Sequence, residues 1–280
     1  MKRYTDYFYI ILSTLFVSII LLSCATPKNV KKINTRPNVT QSFMLLRPEY
    51  PVASVILFCG GDGDIQFSSA TLGKKSRNFL VRTRNTFLKN DFIVAVIDAP
   101  SDKSQKSGLN AYNTKKGHTF RGSKKHATDI EAVANYLKSV EDVPVWLVGT
   151  SSGTVSATNG VIRIENAIDG LVLASPITKT DESWPIHNNR PNGILDMELQ
   201  KIDVPTLIVS HKNDQCEYTP PKDAKKITKK IKLPSHIVEV VYFDGGSTPR
   251  SKPCQAMSKH GFIGIEDDVV TTISKFIRNN

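Results

Sequence analysis

The chain has 280 residues, 40% of them apolar, enough for one sizeable buried core without division into two domains. Its formal net charge is +11. The lysines stand in scattered pairs, such as Lys74-Lys75, Lys124-Lys125 and Lys229-Lys230, with no aromatic-rich basic motif, which argues against nucleic acid as a partner.

Met1-Lys2-Arg3 gives a basic start, and Phe8 to Leu22 is almost wholly apolar, a run short for a membrane-spanning helix. Leu21-Leu22-Ser23-Cys24 follows. The stretch resembles a bacterial secretion signal ending in a lipobox. That implies removal of residues 1–23, a lipid on Cys24, and a protein anchored at the cell envelope, facing the periplasm or the exterior. An excess of positive charge suits an anionic membrane surface or an acidic substrate. Residues 24–40 are polar and proline-bearing and read as a tether, with the folded domain expected over 41–280.

Gln41 to Leu46 reads as an early strand, and Pro51 to Phe58 as a strand buried on both faces. The latter runs into Cys59-Gly60-Gly61-Asp62-Gly63-Asp64, which matches neither phosphate-binding pattern, G-x-x-x-x-G-K-[ST] or G-x-G-x-x-G. An oxyanion-binding loop needs main-chain N–H groups unobstructed by side chains, and Gly61 or Asp62 would supply one. The spacing leaves both open.

Leu72 to Leu88 is expected as a helix, and Asp91 to Ile97 as a buried strand ending at Asp98. Ser101 to Gly122 is a polar excursion expected at the rim of a site. Ser123 to Val140 predicts a helix with Ile130, Val133, Ala134 and Leu137 inward. Arg121 and His126, near its start, could reach the site but read more as surface or structural groups. Cys59 reads as a buried thiol.

The chain is centred on Val145 to Ala157, V-W-L-V-G-T-S-S-G-T-V-S-A. Four apolar residues make a buried strand, and Gly149-Thr150-Ser151-Ser152-Gly153 is a G-x-S-x-G that precedes helix-compatible residues. Such a turn holds its serine in strained dihedrals and needs small neighbours two residues away. It lifts the Ser151 hydroxyl above the sheet edge, near helix N–H groups that favour developing negative charge. Further strands are expected at Gly170 to Pro176, Pro205 to His211 and Ile237 to Phe243, with a last helix from Ile265 to Ile277. The connection from Ile177 to Asp203 allows a small lid but no large cap domain. Strands alternating with helices predict an α/β fold whose mostly parallel sheet is covered on both faces.

A serine nucleophile needs a base, and the base a carboxylate to orient it. Asp214 directly follows a strand, and His260, in Ser258-Lys259-His260-Gly261-Phe262, lies between the last strand and the last helix. Asp98 and Asp244 are rival acids. His211 reads as a packed, hydrogen-bonded histidine.

The order Ser151, Asp214, His260 resembles that of α/β-hydrolase-fold serine hydrolases, over about Val52 to Ile277. The resemblance implies Ser151 as nucleophile, His260 as general base and then acid, Asp214 as orienting carboxylate, and an oxyanion hole from the Ser152 N–H with Gly61 or Asp62. One departure is Cys59-Gly60, where many members carry His-Gly. In an oxidising compartment Cys216 and Cys254 are the natural disulfide pair and would staple the acid loop to the histidine loop.

The expected protein is therefore an exported, membrane-anchored, monomeric serine hydrolase cleaving carboxylic esters, with no metal and no cofactor. The alternatives are a non-catalytic binding or assembly protein of the same fold, a thioesterase, or an aminoacyl-phospholipid hydrolase, on a weaker likeness to bacterial periplasmic enzymes of that kind.

Overall fold

The computed structural model describes residues 29–67, 72–106, 108–110, 112–113, 118–234 and 236–280. The expected signal segment, Cys24 and the start of the tether lie outside these residues.

One sheet of eight strands organises the described residues: β1 Val30–Arg36, β2 Val39–Leu46, β3 Ala53–Phe58, β4 Phe92–Ile97, β5 Val145–Ser151, β6 Gly170–Pro176, β7 Thr206–His211 and β8 Val238–Phe243. Their order across the sheet is β1-β2-β4-β3-β5-β6-β7-β8. From β4 to β8 all pairings are parallel; β2 is antiparallel to both β1 and β4. β3, β4, β6 and β7 are buried along their whole length, which is why they read as continuous apolar runs rather than alternating ones.

Alternate residues of each strand enter one of two cores. Ile56 and Phe58 of β3 pack on one face with α3 (Lys124–Val140), α4 (Gly153–Arg163) and α5 (Ala224–Lys230). Val55 and Leu57 pack on the other with α1 (Phe79–Arg82), α2 (Arg84–Lys89) and α6 (Glu266–Asn279). Each large aliphatic side chain buried this way contributes roughly 1.5–3 kcal/mol.

Two sequence expectations are corrected. Residues 30–36, read as tether, form edge strand β1, so the domain begins before residue 41. V-K-K-I-N-T-R buries only part of one face, and its polar composition conceals a strand held by pairing with β2 and by Arg36, whose Nε donates to Asp129 Oδ1 at 2.8 Å. The helix expected from 72 to 88 is broken into a 3₁₀ turn at Gly73–Lys75, then α1 and α2. Gly73 has φ 66°, outside helical space, and Asn78 restarts the helix by accepting the Leu80 N–H at 3.1 Å.

Candidate active site

Ser151 ends β5 with φ 53°, a conformation that costs a non-glycine residue on the order of 1–3 kcal/mol. The glycines around it are sterically required. A Cβ on Gly149 would lie 2.5 Å from the Gly153 carbonyl oxygen, and one on Gly153 would lie 2.1 Å from the Phe58 carbonyl oxygen. α4 therefore starts hard against the end of β3, and the serine turn is pressed between them. Thr154 Oγ1 donates to the Ser151 carbonyl at 2.6 Å, holding the turn closed.

The loop after β3 also comes close. A Cβ on Gly60 would stand 2.9 Å from Ser151 Cβ. Gly61, at φ 65°, lines both depressions that flank Ser151. Among the described residues, no acceptor takes the main-chain N–H of Gly61 or of Ser152. Asp62 turns its side chain to Lys75, at 2.9 Å.

Asp98, the rival acid, is buried and occupied elsewhere. Its carboxylate accepts the N–H groups of Ile65 at 2.6 Å, Gln66 at 3.0 Å and Ala99 at 2.7 Å. Burial pushes its pKa up to about 6, against the pull of those donors. It shapes the glycine loop from behind. The other rival, Asp244, is exposed and accepts the Gly245 N–H at 2.8 Å.

Asp214 and His260 meet at the next two strand ends. The Asp214 N–H donates to the His211 carbonyl at 3.0 Å, and Asp214 Oδ1 accepts the Cys216 N–H at 2.9 Å, an Asx turn that fixes the carboxylate. Its Oδ2 accepts from His260 Nδ1 at 3.0 Å and from Thr219 Oγ1 at 2.9 Å. Both side chains of the pair are nearly inaccessible to water. An acid that only accepts assigns the proton to Nδ1, leaving Nε2 as the free acceptor.

The histidine loop is held from three sides. Ser258 Oγ accepts the His260 N–H at 3.2 Å, and Ser175 Oγ donates to the His260 carbonyl at 2.9 Å. Arg82 donates to the Gly261 carbonyl and, at 2.9 Å, to Glu266. Gly261 must be glycine, because a Cβ would lie 2.0 Å from the Ala256 carbonyl oxygen. Phe262 follows at φ 58° and packs its ring 5.0 Å from Phe79.

Cys216 and Cys254 form a disulfide that joins the two loops and lines the site. Cys59 is a buried free thiol, and burial pushes its pKa up to about 12.

Two depressions open at Ser151. One, of about 310 Å³, is walled mainly by Val155, Ile177, Trp184, Ile186 and Tyr218. The other, of about 420 Å³, carries His260, Lys74, Lys75, Arg77, Asn78 and Gln255. The connection between β6 and β7 holds only 3₁₀ turns and supplies Trp184 and Ile186, so it is a short flap and no cap domain.

The structure thus brings Ser151, Ser152 and Gly61 to one place, and Asp214 to His260 beside it. His211 is a packed histidine, its Nε2 donating to the Gly245 carbonyl at 3.2 Å. Arg121 and His126 are fully buried, so the surface half of their reading falls. Thr219, Ser175 and Arg82 escaped the sequence reading. A lone Thr, Ser or Arg in a loop carries no pattern, and only the fold brings them to the site.

No family model matches the sequence, and no curated protein matches it. Solved structures do. An esterase from Pyrococcus furiosus superposes with a TM-score of 0.64 at 15% identity, over 89% of this chain and 90% of that one. A serine hydrolase without a lid from Xanthomonas campestris gives 0.55 at 14% identity, over 90% and 95%. A dienelactone hydrolase from Anabaena variabilis gives 0.58 at 12% identity, over 90% and 98%. The chain has the α/β-hydrolase fold.

Proposed function

We propose that the protein is a serine hydrolase that cleaves carboxylic esters through an acyl-enzyme. The observation that carries this reading is the buried His260–Asp214 hydrogen bond of 3.0 Å, whose histidine lines the same depression as the strained Ser151. In this reading Ser151 Oγ adds to the ester carbonyl carbon while its proton passes to His260 Nε2. Asp214 keeps the imidazole in the required tautomer and stabilises the imidazolium. The carbonyl electron pair moves onto oxygen, where the N–H groups of Ser152 and Gly61 receive it. Gly61 is favoured over Asp62 because it lines both depressions. Collapse expels the alcohol, which takes the proton from His260. Water then repeats the sequence to free the acid and restore Ser151.

The unequal depressions support an ester split between an apolar part, against Trp184 and Ile186, and a polar or anionic part beside Lys74, Lys75 and Arg77. An exported, Cys24-lipidated form is part of the same proposal. It is supported by the Cys216–Cys254 bridge, which persists best in an oxidising compartment.

The test is fluorophosphonate labelling of the full chain in detergent, beside Ser151→Ala and His260→Ala. Labelling confined to the wild type supports the reading. A folded wild type that stays unlabelled overturns it and leaves a non-catalytic binding protein of this fold.

A further inference from the structure

Arg121 is a buried cation with no anionic hydrogen-bond partner among the described residues. It ends the rim segment just before α3 and is 2% exposed. Its partners among the described residues are neutral: Nη1 donates to Ser156 Oγ at 2.7 Å, and Nη2 to the carbonyls of Cys59 at 3.1 Å and Gly61 at 3.0 Å. Nε has no partner among the described residues. Asp62, the carboxylate whose field reaches it, is already paired with Lys75. Burying a guanidinium this way is costly, and desolvation pulls its pKa down to about 10. It remains charged at neutral pH.

Its location gives that charge a use. The two carbonyls it holds belong to the peptides on either side of Gly60–Gly61, the segment packed on Ser151. Peptide units are planar, so with both neighbours pinned, the peptide carrying the Gly61 N–H has little freedom to turn. The loop wraps the guanidinium closely: a Cβ on Gly63 would lie 2.6 Å from Nη2. Ser156, the third partner, lies on α4, which follows the nucleophile turn. Arg121 also lines the apolar depression, together with Gly61, Ser151 and Ser152.

We propose that Arg121 is a positioning residue for the reaction, holding the Cys59–Gly61 main chain so that the Gly61 N–H faces the oxyanion and adding a positive charge beside it. This rests on the serine-hydrolase reading. A lysine keeps the charge but, as a single ammonium, cannot bridge two carbonyls and a hydroxyl in one plane. Loss of oriented donor support lowers the rate of acyl transfer rather than the affinity for the ground-state ester.

The experiment uses the full chain in detergent with a short-chain nitrophenyl ester, comparing wild type, Arg121→Lys and Arg121→Ala. Expected are a kcat at least about fivefold lower in Arg121→Lys with KM within about threefold, and a loss of roughly 100-fold in Arg121→Ala. Millimolar guanidinium should partly restore the Arg121→Ala rate where equal sodium chloride does not. Should Arg121→Ala fail to fold, the folded Arg121→Lys protein decides. A kcat in Arg121→Lys less than about fivefold below wild type, or a loss carried wholly by KM, overturns the inference alone. A wild type that neither labels with fluorophosphonate nor turns over any ester overturns the serine-hydrolase reading, and this inference with it.

Discussion

Thr219 Oγ1 stands 3.0 Å from His260 Nδ1 while giving its own proton to Asp214 Oδ2 at 2.9 Å. The Nδ1 proton is therefore shared between a carboxylate and a hydroxyl, and the hydroxyl is itself polarised by that carboxylate. All three groups are buried, where a missing hydrogen bond costs about 1–3 kcal/mol. Thr219→Val keeps the shape and removes the hydroxyl. It should lower kcat by roughly 5–100-fold with KM little changed, and Thr219→Ser should recover most of the loss. Steady-state kinetics on a chromogenic ester would check both. Equal kcat in all three proteins would show that Asp214 holds the histidine unaided.

The Cys216–Cys254 bridge closes a loop across 38 positions of sequence, joining the Asp214 loop to the His260 loop. The chain-entropy model assigns such a loop about 4 kcal/mol. The double Cys216→Ala, Cys254→Ala variant should lose stability of that order in urea unfolding. Thiol titration of the isolated residue 30–280 segment should find no reactive group in the native protein and one after unfolding, because Cys59 is buried with its pKa pushed up to about 12. Three thiols after unfolding would contradict the bridge.

Gly60→Ala separates loop shape from overall stability. The added Cβ would sit 2.9 Å from Ser151 Cβ and 3.2 Å from the Thr150 carbonyl oxygen, beside the depression that carries His260. Gly153→Ala places its Cβ 2.1 Å from the Phe58 carbonyl, inside the joint between β3 and α4. The first variant should fold with a melting temperature near that of the wild type and label with fluorophosphonate at least about tenfold more slowly, a barrier change of about 1.4 kcal/mol. The second should be strongly destabilised. Wild-type labelling by Gly60→Ala would mean the loop yields without disturbing the serine.

The sequence announces what depends on local pattern. G-x-S-x-G after an apolar run places Ser151, and burial on both faces makes β3, β4, β6 and β7 visible as apolar runs. His260 is legible because it lies between the last strand and the last helix, where the fold's histidine sits. What stays hidden is set by tertiary packing alone. β1 looks like linker because an edge strand needs few apolar residues. Asp98 and Asp214 both follow strands; only the paths of the two loops give one to the backbone of 65–67 and the other to His260. Arg121 sits in a polar lysine-rich stretch, and nothing in that composition tells a buried arginine from a solvated one.

His126 offers a test of burial itself. It is inaccessible to water, both ring nitrogens lack hydrogen-bond partners among the described residues, and its ring centroid lies 5.3 Å from that of Phe120 and 6.3 Å from that of Phe58. Desolvation first, then the charges of Arg121 and Arg36, pull its pKa from the ordinary 6.5 down to about 3. A base depressed on folding binds its proton more readily once unfolded. Its neutral form therefore carries no penalty above pH 6.5, and stability is lost as pH falls from there toward 3, by about 1.4 kcal/mol per unit. At pH 5 the loss attributable to His126 is about 2 kcal/mol. His126→Phe keeps a ring between the two aromatics and cannot titrate. Urea unfolding of both proteins at pH 7.5 and pH 5.0 should show the variant gaining about 2 kcal/mol relative to wild type on going to the lower pH. The same difference at both values would mean that burial does not depress the His126 pKa.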